Sequence, residues 1–260
     1  MKIASWNVNS LKVRLPQVLD WINLNQPDVL CLQETKQNND NFPHDVFEKR
    51  GLFSYHNGQN TYNGVAIISN KELIDVQFDI PNFHDQQKRL ISGIYPNDED
   101  LKIRVISAYI PNGQLLNSDK FEYKMNWLKS FISFLQTKID GIENIITGDF
   151  NIAPTKLDCY DSKSWDGKIL VSPQEREYFD KLLNLGFIDT FREMNPNANE
   201  FSWWDYRIPF KRNLGMRIDH ILLSKNLLTF IKKAYIDKTT RTLERPSDHV
   251  PVVTELSLNP

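Results

Sequence analysis

Cysteine is scarce in this sequence: Cys31 and Cys159 are the only two among 260 residues. Cys31 lies in an apolar run and Cys159 in a polar stretch, so we expect no disulfide framework, and two thiolates are too few for a cysteine-based zinc site. No segment sustains the apolar run of about 20 residues that crosses a bilayer, and residues 1–7 lack the apolar core of a signal peptide. We expect a soluble cytoplasmic protein without a membrane partner.

An excess of basic charge is also missing, since 31 Lys and Arg residues stand against 33 Asp and Glu residues, for a formal net charge of −2. Binding to nucleic-acid phosphates requires Lys and Arg and usually leaves a basic composition. Such binding would here depend on one local positive face, with the acidic residues gathered elsewhere. The net charge therefore neither supports nor excludes a nucleic-acid partner.

Linkers, low-complexity segments and short-period repeats are absent, which predicts one domain over residues 1–260. Short runs rich in β-branched residues predict eight strands, at residues 2–8, 28–33, 64–69, 90–94, 101–109, 144–147, 218–223 and 250–256. Apolar residues spaced three and four apart predict three helices, at residues 15–24, 119–138 and 173–185. The predicted strands outnumber the predicted helices by too many for a doubly wound sheet. This favours an α+β fold with two packed sheets flanked by helices.

Two of the predicted helices carry start signals. Ser118 and Ser172 precede them as N-caps, and Pro173 suits a first helical turn. Residues 153–172, just before the third helix, are the least regular part of the chain. We interpret this stretch as a long functional loop.

Polar side chains gather at the ends of the predicted strands. Those at or after strand ends are Asn7, Glu34, Tyr109, Asp149 and Asn151, and those at the start of later strands are Asp219, Asp248 and His249. Both sets meet at one rim if the later strands run antiparallel to the earlier ones. Such a set suits phosphodiester hydrolysis, which needs a hard cation, an activated water and donors on the phosphate oxygens.

His249 is the candidate imidazole of this set, and it needs a carboxylate to orient it. Successive residues of an extended segment point to opposite sides, so neighbouring Asp248 is a poor partner and Asp219 a better one. We therefore predict that Asp219 and His249 act together on the phosphate, with Asp248 in the metal environment.

The other members of the set have simpler assignments. Glu34 is a candidate Mg²⁺ ligand, with Asn7 and Asn151 orienting ligands or substrate. Asp149 is expected to orient or deprotonate the attacking water, and Tyr109 to contact the phosphate. Taken singly, Asp149 is equally explained as a turn residue and Tyr109 as strand-end packing. The prediction rests on all of them occurring together.

The motifs that hold these residues resemble the exonuclease III family of abasic-site endonucleases, within a wider group that includes DNase I and inositol-polyphosphate phosphatases. The likeness runs nearly from end to end of the chain. In order, the motifs are Ser5-Trp6-Asn7-Val8-Asn9, Leu32-Gln33-Glu34-Thr35-Lys36, Asn63-Gly64-Val65-Ala66, Ala108-Tyr109-Ile110-Pro111-Asn112-Gly113, Thr147-Gly148-Asp149-Phe150-Asn151-Ile152-Ala153-Pro154, Arg217-Ile218-Asp219-His220 and Ser247-Asp248-His249-Val250-Pro251-Val252.

The resemblance implies a four-layer sandwich with two mixed sheets between helical layers. It implies a Mg²⁺-dependent enzyme, with Mn²⁺ as a substitute, that cuts duplex DNA 5′ to abasic sites and has 3′–5′ exonuclease and 3′-phosphatase activities on blocked ends. The implied metal residues are Asn7, Glu34 and Asp248, and the implied catalytic residues are Tyr109, Asp149, Asn151, Asp219 and His249. We expect a monomer.

Aromatic and basic residues interleave between Phe201 and Arg217. Composition alone also fits an ordinary strand with solvated cations, but the resemblance favours a pocket for an extruded, base-free sugar. The predicted pocket residues are Trp203, Met216 and Ile218, with Trp204 left to packing.

Further DNA contacts are expected from Asn112, Gln114, Lys120 and Arg207. Lys36, Lys88, Arg89 and Lys124 are weaker candidates for tracking the DNA backbone, because charged side chains on a surface are usually just solvated. Lys124 lies one helical turn after Lys120, and we favour these two slightly.

Ser10 departs from the family's usual glycine, and the 156–172 loop departs from the family pattern as well. We expect this loop to affect the relative rates of abasic-site cleavage, 3′–5′ exonuclease and 3′-phosphatase activity. One alternative is another phosphodiesterase on the same fold, and a second is a catalytically silent protein that binds RNA or protein. A silent protein is expected to lose metal or phosphate ligands, whereas this chain retains them.

Overall fold

Two six-stranded β-sheets form the centre of the computed structural model, which describes residues 1–96, 101–137 and 141–258. In spatial order, the first sheet contains β13 (Ile231–Ile236), β14 (Val252–Leu256), β1 (Lys2–Asn7), β2 (Val29–Gln33), β4 (Val65–Ser69) and β3 (Phe53–Asn57). β1 runs parallel to β2 and antiparallel to β14, so this sheet is mixed.

In spatial order, the second sheet contains β5 (Ile74–Phe78), β6 (Leu90–Tyr95), β7 (Lys102–Tyr109), β8 (Ile142–Asp149), β12 (Asp219–Ser224) and β9 (Phe187–Asp189). β7 and β8 are parallel, whereas β8 and β12 are antiparallel, so this sheet is mixed as well. A separate two-stranded ribbon pairs β10 (Trp203–Trp204) with β11 (Gly215–Met216).

Helices cover the outer face of each sheet. The helices are α1 (Leu11–Asn25) and α2 (His44–Glu48) on the first sheet, α3 (Asp119–Gln136) and α5 (Pro173–Asn184) on the second, and the short α4 (Ser162–Trp165) and α6 (Thr190–Met194). On β2, Leu30 and Leu32 face the outer helices while Cys31 faces the other sheet. Each large apolar side chain buried in these layers contributes about 1.5–3 kcal/mol. The result is the predicted four-layer arrangement.

All eight predicted strands and all three predicted helices are present. Ser118 and Ser172 accept hydrogen bonds from the backbone nitrogens of Phe121 and Glu175, as N-caps do. Helix α1 begins at Leu11, four residues earlier than predicted, and residue 138, the predicted end of α3, lies outside the described residues. Within the described part of the chain, no helix has both the length and the apolar composition to cross a membrane.

The prediction missed strands β3, β5, β9 and β13, the β10–β11 ribbon, and helices α2 and α6. β5 lies at a sheet edge, and most of its residues are exposed or half-buried, so it lacks the apolar run that marks a central strand. The predicted 153–172 loop is also partly regular, since it contains a 3₁₀ turn at Lys156–Asp158 as well as α4.

Candidate active site

Three neighbouring strands of the second sheet each contribute one polar residue, and these residues are paired side by side across the sheet. The register pairs Tyr109 of β7 with Asp149 of β8, and Asp149 with Asp219 of β12. Because β12 is antiparallel to β8, its first residue meets the last residue of β8, as the sequence predicted. Gly148 allows this close pairing, since its φ is +152° and a Cβ atom there would lie 1.8 Å from the carbonyl oxygen of Ala108.

The first sheet adds Asn7, the last residue of β1, and Glu34, which directly follows β2. The Nδ2 atom of Asn7 donates to Glu34 Oε1 and to Asp149 Oδ2, both at 2.9 Å. This buried amide therefore joins the two sheets at the site. Glu34 has a left-handed backbone with a φ of +51°, which turns the chain out of β2.

His249 lies between two carboxylates. Its Nδ1 atom is 2.8 Å from Asp219 Oδ2, and its Nε2 atom is 3.7 Å from Asp149 Oδ2. Ser202 Oγ donates to Asp219 Oδ2 at 2.6 Å and fixes that carboxylate. The structure thus has the pairing of His249 with Asp219 that strand alternation predicts.

The neighbouring Asp248 points away from the imidazole. Its Oδ1 atom accepts a hydrogen bond from Asn9 Nδ2 at 2.9 Å, and its Oδ2 atom accepts one from Trp203 Nε1 at 3.0 Å. Each oxygen accepts one hydrogen bond, so Asp248 joins Asn9 to the Trp203 indole at the edge of the site.

The contacts shift the pKa values of the buried groups. Burial by itself lowers the pKa of His249, but Asp219 and Asp149 outweigh it and raise this pKa to about 10. Burial raises the pKa of Asp149, which His249 lowers and which Asp219 and Glu34 raise further. Burial, with Glu34 and Asp149, also holds the pKa of Tyr109 well above its ordinary value. At neutral pH, His249 is therefore charged and the Tyr109 hydroxyl is protonated.

The donor set suits a hard divalent cation. One ligand atom each from Glu34, Asp149 and His249 lie within 4.8 Å of one another. With Asp219, three carboxylates converge here, and a cation would relieve the repulsion that helps to raise the pKa of Asp149. Glu34 is the most accessible of the three, because its side chain is 18% exposed whereas those of Asp149 and Asp219 are 2% and 0% exposed.

Two neighbours of Glu34 limit how it can bind a metal. Asn7 presents its amide nitrogen to the carboxylates of Glu34 and Asp149 and so orients them. The ammonium of Lys36 lies 2.9 Å from Glu34 Oε2. Lys36 therefore pairs with this candidate metal-binding carboxylate in the structure.

Asn151 follows Asp149 with a left-handed backbone, at a φ of +50°. Its Oδ1 atom accepts from Asn112 Nδ2 at 2.8 Å, which brings together two residues that are far apart in sequence. Asn112, Gln114 and Lys120 line a groove of about 510 Å³ beside Tyr109. These predicted DNA contacts thus share one concave surface next to the site.

The predicted sugar pocket is not open in this structure. Trp203 is half-buried with its ring centroid 6.5 Å from that of His249, but Met216 and Ile218 are 0% and 2% exposed. They pack in an apolar cluster with residues of the 153–172 loop, including Leu170. The expectation that Met216 and Ile218 line an accessible wall is therefore wrong for this conformation, because the loop covers them.

Trp204 and Arg207 of the same segment differ in burial, and Trp204 lies in the core as predicted. Trp204 is 1% exposed and packs in the core. The Arg207 side chain is 89% exposed, pairs only with the adjacent Asp205 in its described contacts, and can reach a ligand outside the protein.

Two of the weaker basic candidates are not on the surface. Lys124 is fully buried, and Arg89 is 8% exposed with its guanidinium 4.7 Å above the Tyr109 ring. Lys88 pairs with Asp79 at 2.7 Å. Helical spacing cannot distinguish a solvated lysine from a buried one, so the prediction was wrong for Lys124, whereas Arg89 lines the groove beside Tyr109.

Sequence reasoning missed Asn9 and Ser202. Asn9 connects Lys36 to Asp248, and Ser202 fixes Asp219. Asn9 lies inside a motif that was recognised, two residues after Asn7, and that spacing was an available signal. No local pattern marks Ser202.

Comparison with known proteins agrees with this geometry. A model of the endonuclease/exonuclease/phosphatase family matches residues 4–249, a range that contains all the polar residues of the site. The chain belongs to the endonuclease/exonuclease/phosphatase family. Exodeoxyribonuclease III of Haemophilus influenzae is 36% identical over 266 residues, covering 98% of this chain and 99% of the relative.

Solved structures of this family agree over the whole length. The 3′ phosphatase NExo from Neisseria, bound to a product DNA hairpin, has a TM-score of 0.95 and 43% identity over 99% of each chain. An AP endonuclease from Archaeoglobus fulgidus has a TM-score of 0.94 and 35% identity over 99% of this chain and 100% of that one. The four-layer fold and the resemblance to exonuclease III are confirmed. The family is metal-dependent, and the chain is a hydrolytic nuclease.

Proposed function

We propose that this nuclease is a DNA-repair phosphodiesterase that cuts the backbone 5′ to abasic sites and also trims blocked 3′ ends as an exonuclease and phosphatase. The observation that carries the proposal is the convergence of Glu34, Asp149, Asp219 and His249 at one end of two sheets. All three reactions are attacks of water on a phosphate ester, so one such site serves them all. The relatives named exodeoxyribonuclease III, 3′ phosphatase and AP endonuclease support this range.

The buried side chains divide the proton transfers. Asp149, with its raised pKa, orients the attacking water and accepts its proton. As the new P–O bond forms, the bond from phosphorus to the sugar oxygen breaks, and the leaving oxygen takes a proton from water. The charged His249, held by Asp219, donates from Nε2 to a phosphate oxygen, where negative charge develops. The protonated hydroxyl of Tyr109 and the amide of Asn151 donate to the remaining oxygens. A divalent cation at Glu34, Mg²⁺ with Mn²⁺ as a substitute, supplies positive charge that neutralises the phosphate.

The proposed partner is double-stranded DNA with an abasic site or a blocked 3′ end. Asn112, Gln114 and Lys120 lie in the groove beside Tyr109, and Arg207 lies on the exposed loop beyond Trp203. Amide and cationic side chains at these positions can bind the DNA phosphates on either side of the cleaved bond. We further propose one domain over residues 1–260 that acts as a monomer in the bacterial cytoplasm, on nucleoid DNA.

A second candidate is a 3′-end processing enzyme with little abasic-site incision. The observation that favours it is the burial of Met216 and Ile218 in an apolar cluster that includes Leu170, because a closed pocket cannot accept an extruded sugar. The higher identity to the 3′ phosphatase NExo than to the Archaeoglobus AP endonuclease points the same way.

Cleavage of three labelled duplexes distinguishes the candidates: one with a tetrahydrofuran abasic analogue, one nicked with a 3′-phosphate, and one intact. Each is incubated with Mg²⁺ and with EDTA. Metal-dependent incision 5′ to the analogue supports the endonuclease, and release of the 3′-phosphate alone supports the end-processing enzyme. No cleavage of any duplex by folded, metal-loaded protein would contradict both candidates and favour the silent binder.

A substitution in the loop tests the same distinction structurally. Leu170 has a left-handed backbone with a φ of +72°, a conformation that glycine adopts without strain. Leu170→Gly should remove an apolar side chain from the cluster that buries Met216 without straining the backbone. We expect it to raise abasic-site incision relative to 3′-phosphate release by about tenfold or more. Leu157→Gly, which changes an exposed leucine of the same loop, is the control. An unchanged ratio in Leu170→Gly would show that the cover does not select the substrate.

A further inference from the structure

Lys124 of α3 and Glu175 of α5 form an ion pair in which neither side chain has exposed surface. The pair joins the two helices that cover the second sheet. Transfer of two charges out of water is costly, and apolar side chains of similar volume often hold such helices as well or better. Helix packing alone therefore does not explain why these residues are charged.

The remaining contacts of the ammonium point toward the active site. Lys124 Nζ has three N–H donors and three acceptors: the Glu175 carboxylate, the backbone oxygen of Asn151 at 2.8 Å and that of Asn112 at 3.2 Å. The side chains of the two asparagines also bind each other at 2.8 Å. One buried cation therefore fixes the backbone of both residues.

The backbone at these asparagines needs such support. Asn151 is left-handed, at a φ of +50°, and a residue with a Cβ atom holds this conformation only when its surroundings impose it. Gly113, which follows Asn112, has a φ of +86°, and a Cβ atom there would lie 3.1 Å from Lys124 Cδ. The loop thus packs directly against the lysine stem.

The carboxylate of the pair fixes the loop on the other side of the site. Glu175 Oε1 accepts from the backbone nitrogen of Leu170 at 3.0 Å, and Oε2 accepts from Ser172 N at 3.0 Å and Ser172 Oγ at 2.7 Å. Leu170 belongs to the apolar cluster that covers Met216 and Ile218. The same ion pair therefore holds the segment that closes the predicted pocket.

We propose that Lys124 and Glu175 are a positioning pair that sets the orientation of Asn112 and Asn151 at the phosphate and the placement of residues 170–172. This inference deepens the proposed function and rests on it. Neither side chain reaches the surface, so neither touches DNA. The pair acts through the backbone of its neighbours, and its loss should slow the chemical step more than it weakens DNA binding.

The double variant Lys124→Met/Glu175→Gln removes both charges with little change in volume. Single-turnover cleavage and the DNA dissociation constant are measured with whichever of the 3′-phosphate and abasic-analogue duplexes the wild-type protein cleaves faster. We expect the cleavage rate to fall about 10- to 100-fold and the dissociation constant to change less than about threefold. Circular dichroism and thermal melting establish that the variant is folded.

The control is Arg104→Met, which removes another buried cation and its ion pair with Asp75. Arg104 lies five residues before Tyr109 on β7, roughly 17 Å from the site, so its loss should lower stability and leave the cleavage rate within about twofold. If the double variant does not fold, Lys124→Gln/Glu175→Gln, which leaves no unpaired buried charge and keeps an amide at the cap of α5, is measured with the same expectation.

A wild-type cleavage rate in either folded variant would overturn the inference while leaving the proposed function in place. Equal loss of rate in Arg104→Met would also overturn it, because the effect would then follow stability. No cleavage by the wild-type protein would overturn the proposed function, and the inference with it.

Discussion

His249 and His220 are both almost fully buried, at 4% and 1% exposure, but their pKa values move in opposite directions. For His249, the carboxylates Asp219 and Asp149 outweigh burial and raise the pKa to about 10. For His220, burial and the adjacent guanidinium of Arg217 together lower the pKa to about 4. The charge of the nearest partners therefore decides whether a buried histidine is protonated.

The difference lies in which group neutralises the local carboxylates. Around His220, Arg217 donates to Asp158 at 2.7 Å and to Asp189 at 2.8 and 3.0 Å, and it outweighs burial to keep both aspartate pKa values low. Around His249, no arginine plays this part among the described contacts, and the imidazole itself carries the positive charge. The first arrangement stabilises a loop, and the second leaves carboxylates available for chemistry.

The largest effect should come from removing the charged histidine. His249→Gln deletes the donor to the phosphate and should reduce cleavage about 10³- to 10⁴-fold with little loss of stability. His220→Gln should leave the cleavage rate of folded protein within about threefold and lower the melting temperature. Single-turnover rates and thermal melts of both variants check this. Similar losses of rate in the two variants would remove the distinction between the sites.

Replacing the arginine should make the two environments alike. Arg217→Met removes the guanidinium that binds Asp189 and leaves Asp158 with Arg192 alone, which should cost about 3 to 5 kcal/mol of unfolding free energy. The same change should raise the pKa of His220, because the repulsion by the Arg217 guanidinium is lost while Asp189 remains 3.8 Å from Nδ1. Chemical denaturation and an NMR titration of the histidines measure both effects. An unchanged pKa at His220 would show that burial alone controls it.

The low pKa of His220 also predicts a pH dependence. The unfolded chain protonates this histidine below a pH of about 6.5, whereas the folded protein does so only below about 4. Stability from this group is therefore complete above pH 6.5 and is lost as the pH falls toward 4, by about 3 kcal/mol in total. The measurement is the difference in unfolding free energy between wild type and His220→Gln from pH 7 to 4, since other titrating groups cancel. A constant difference would contradict the prediction.

The smallest expected effect concerns the cation beside His249. Glu34→Gln removes the accessible carboxylate and should raise the Mg²⁺ concentration for half-maximal cleavage about tenfold. Glu143→Gln changes a carboxylate at the opposite end of β8 and should leave it unchanged. Equal Mg²⁺ requirements in wild type and Glu34→Gln would exclude Glu34 as a ligand.

The central strands were predictable because the apolar residues that favour a strand locally are also the residues that the fold buries. β2, β4 and β8 are short runs of β-branched or apolar residues that are buried in the fold. The edge strand β5 and the three-residue β9 carry no such run, since pairing with a neighbour and not burial makes them strands. The caps Ser118 and Ser172 were predictable for a similar local reason.

Within the site, alternation along an extended segment was enough to separate Asp248 from His249 and to favour Asp219. It was not enough for the basic residues. Lys124 follows a spacing that occurs equally on solvated surfaces, and only the packing of α3 against α5 buries it. The closed cover of Leu170 over Met216 was likewise beyond the sequence, because it joins residues 46 positions apart.

By itself, the sequence determined the order of the central strands along the chain, the two capped helices, and the polar residues that end on one rim. These features depend on periodicity and on residues within a few positions of each other. The tertiary structure alone decided which carboxylates are neutralised by Arg217, which remain around His249, and which cations are buried. The physical reason is that pKa values and buried ion pairs depend on distances between groups from different strands and loops, which no local pattern encodes.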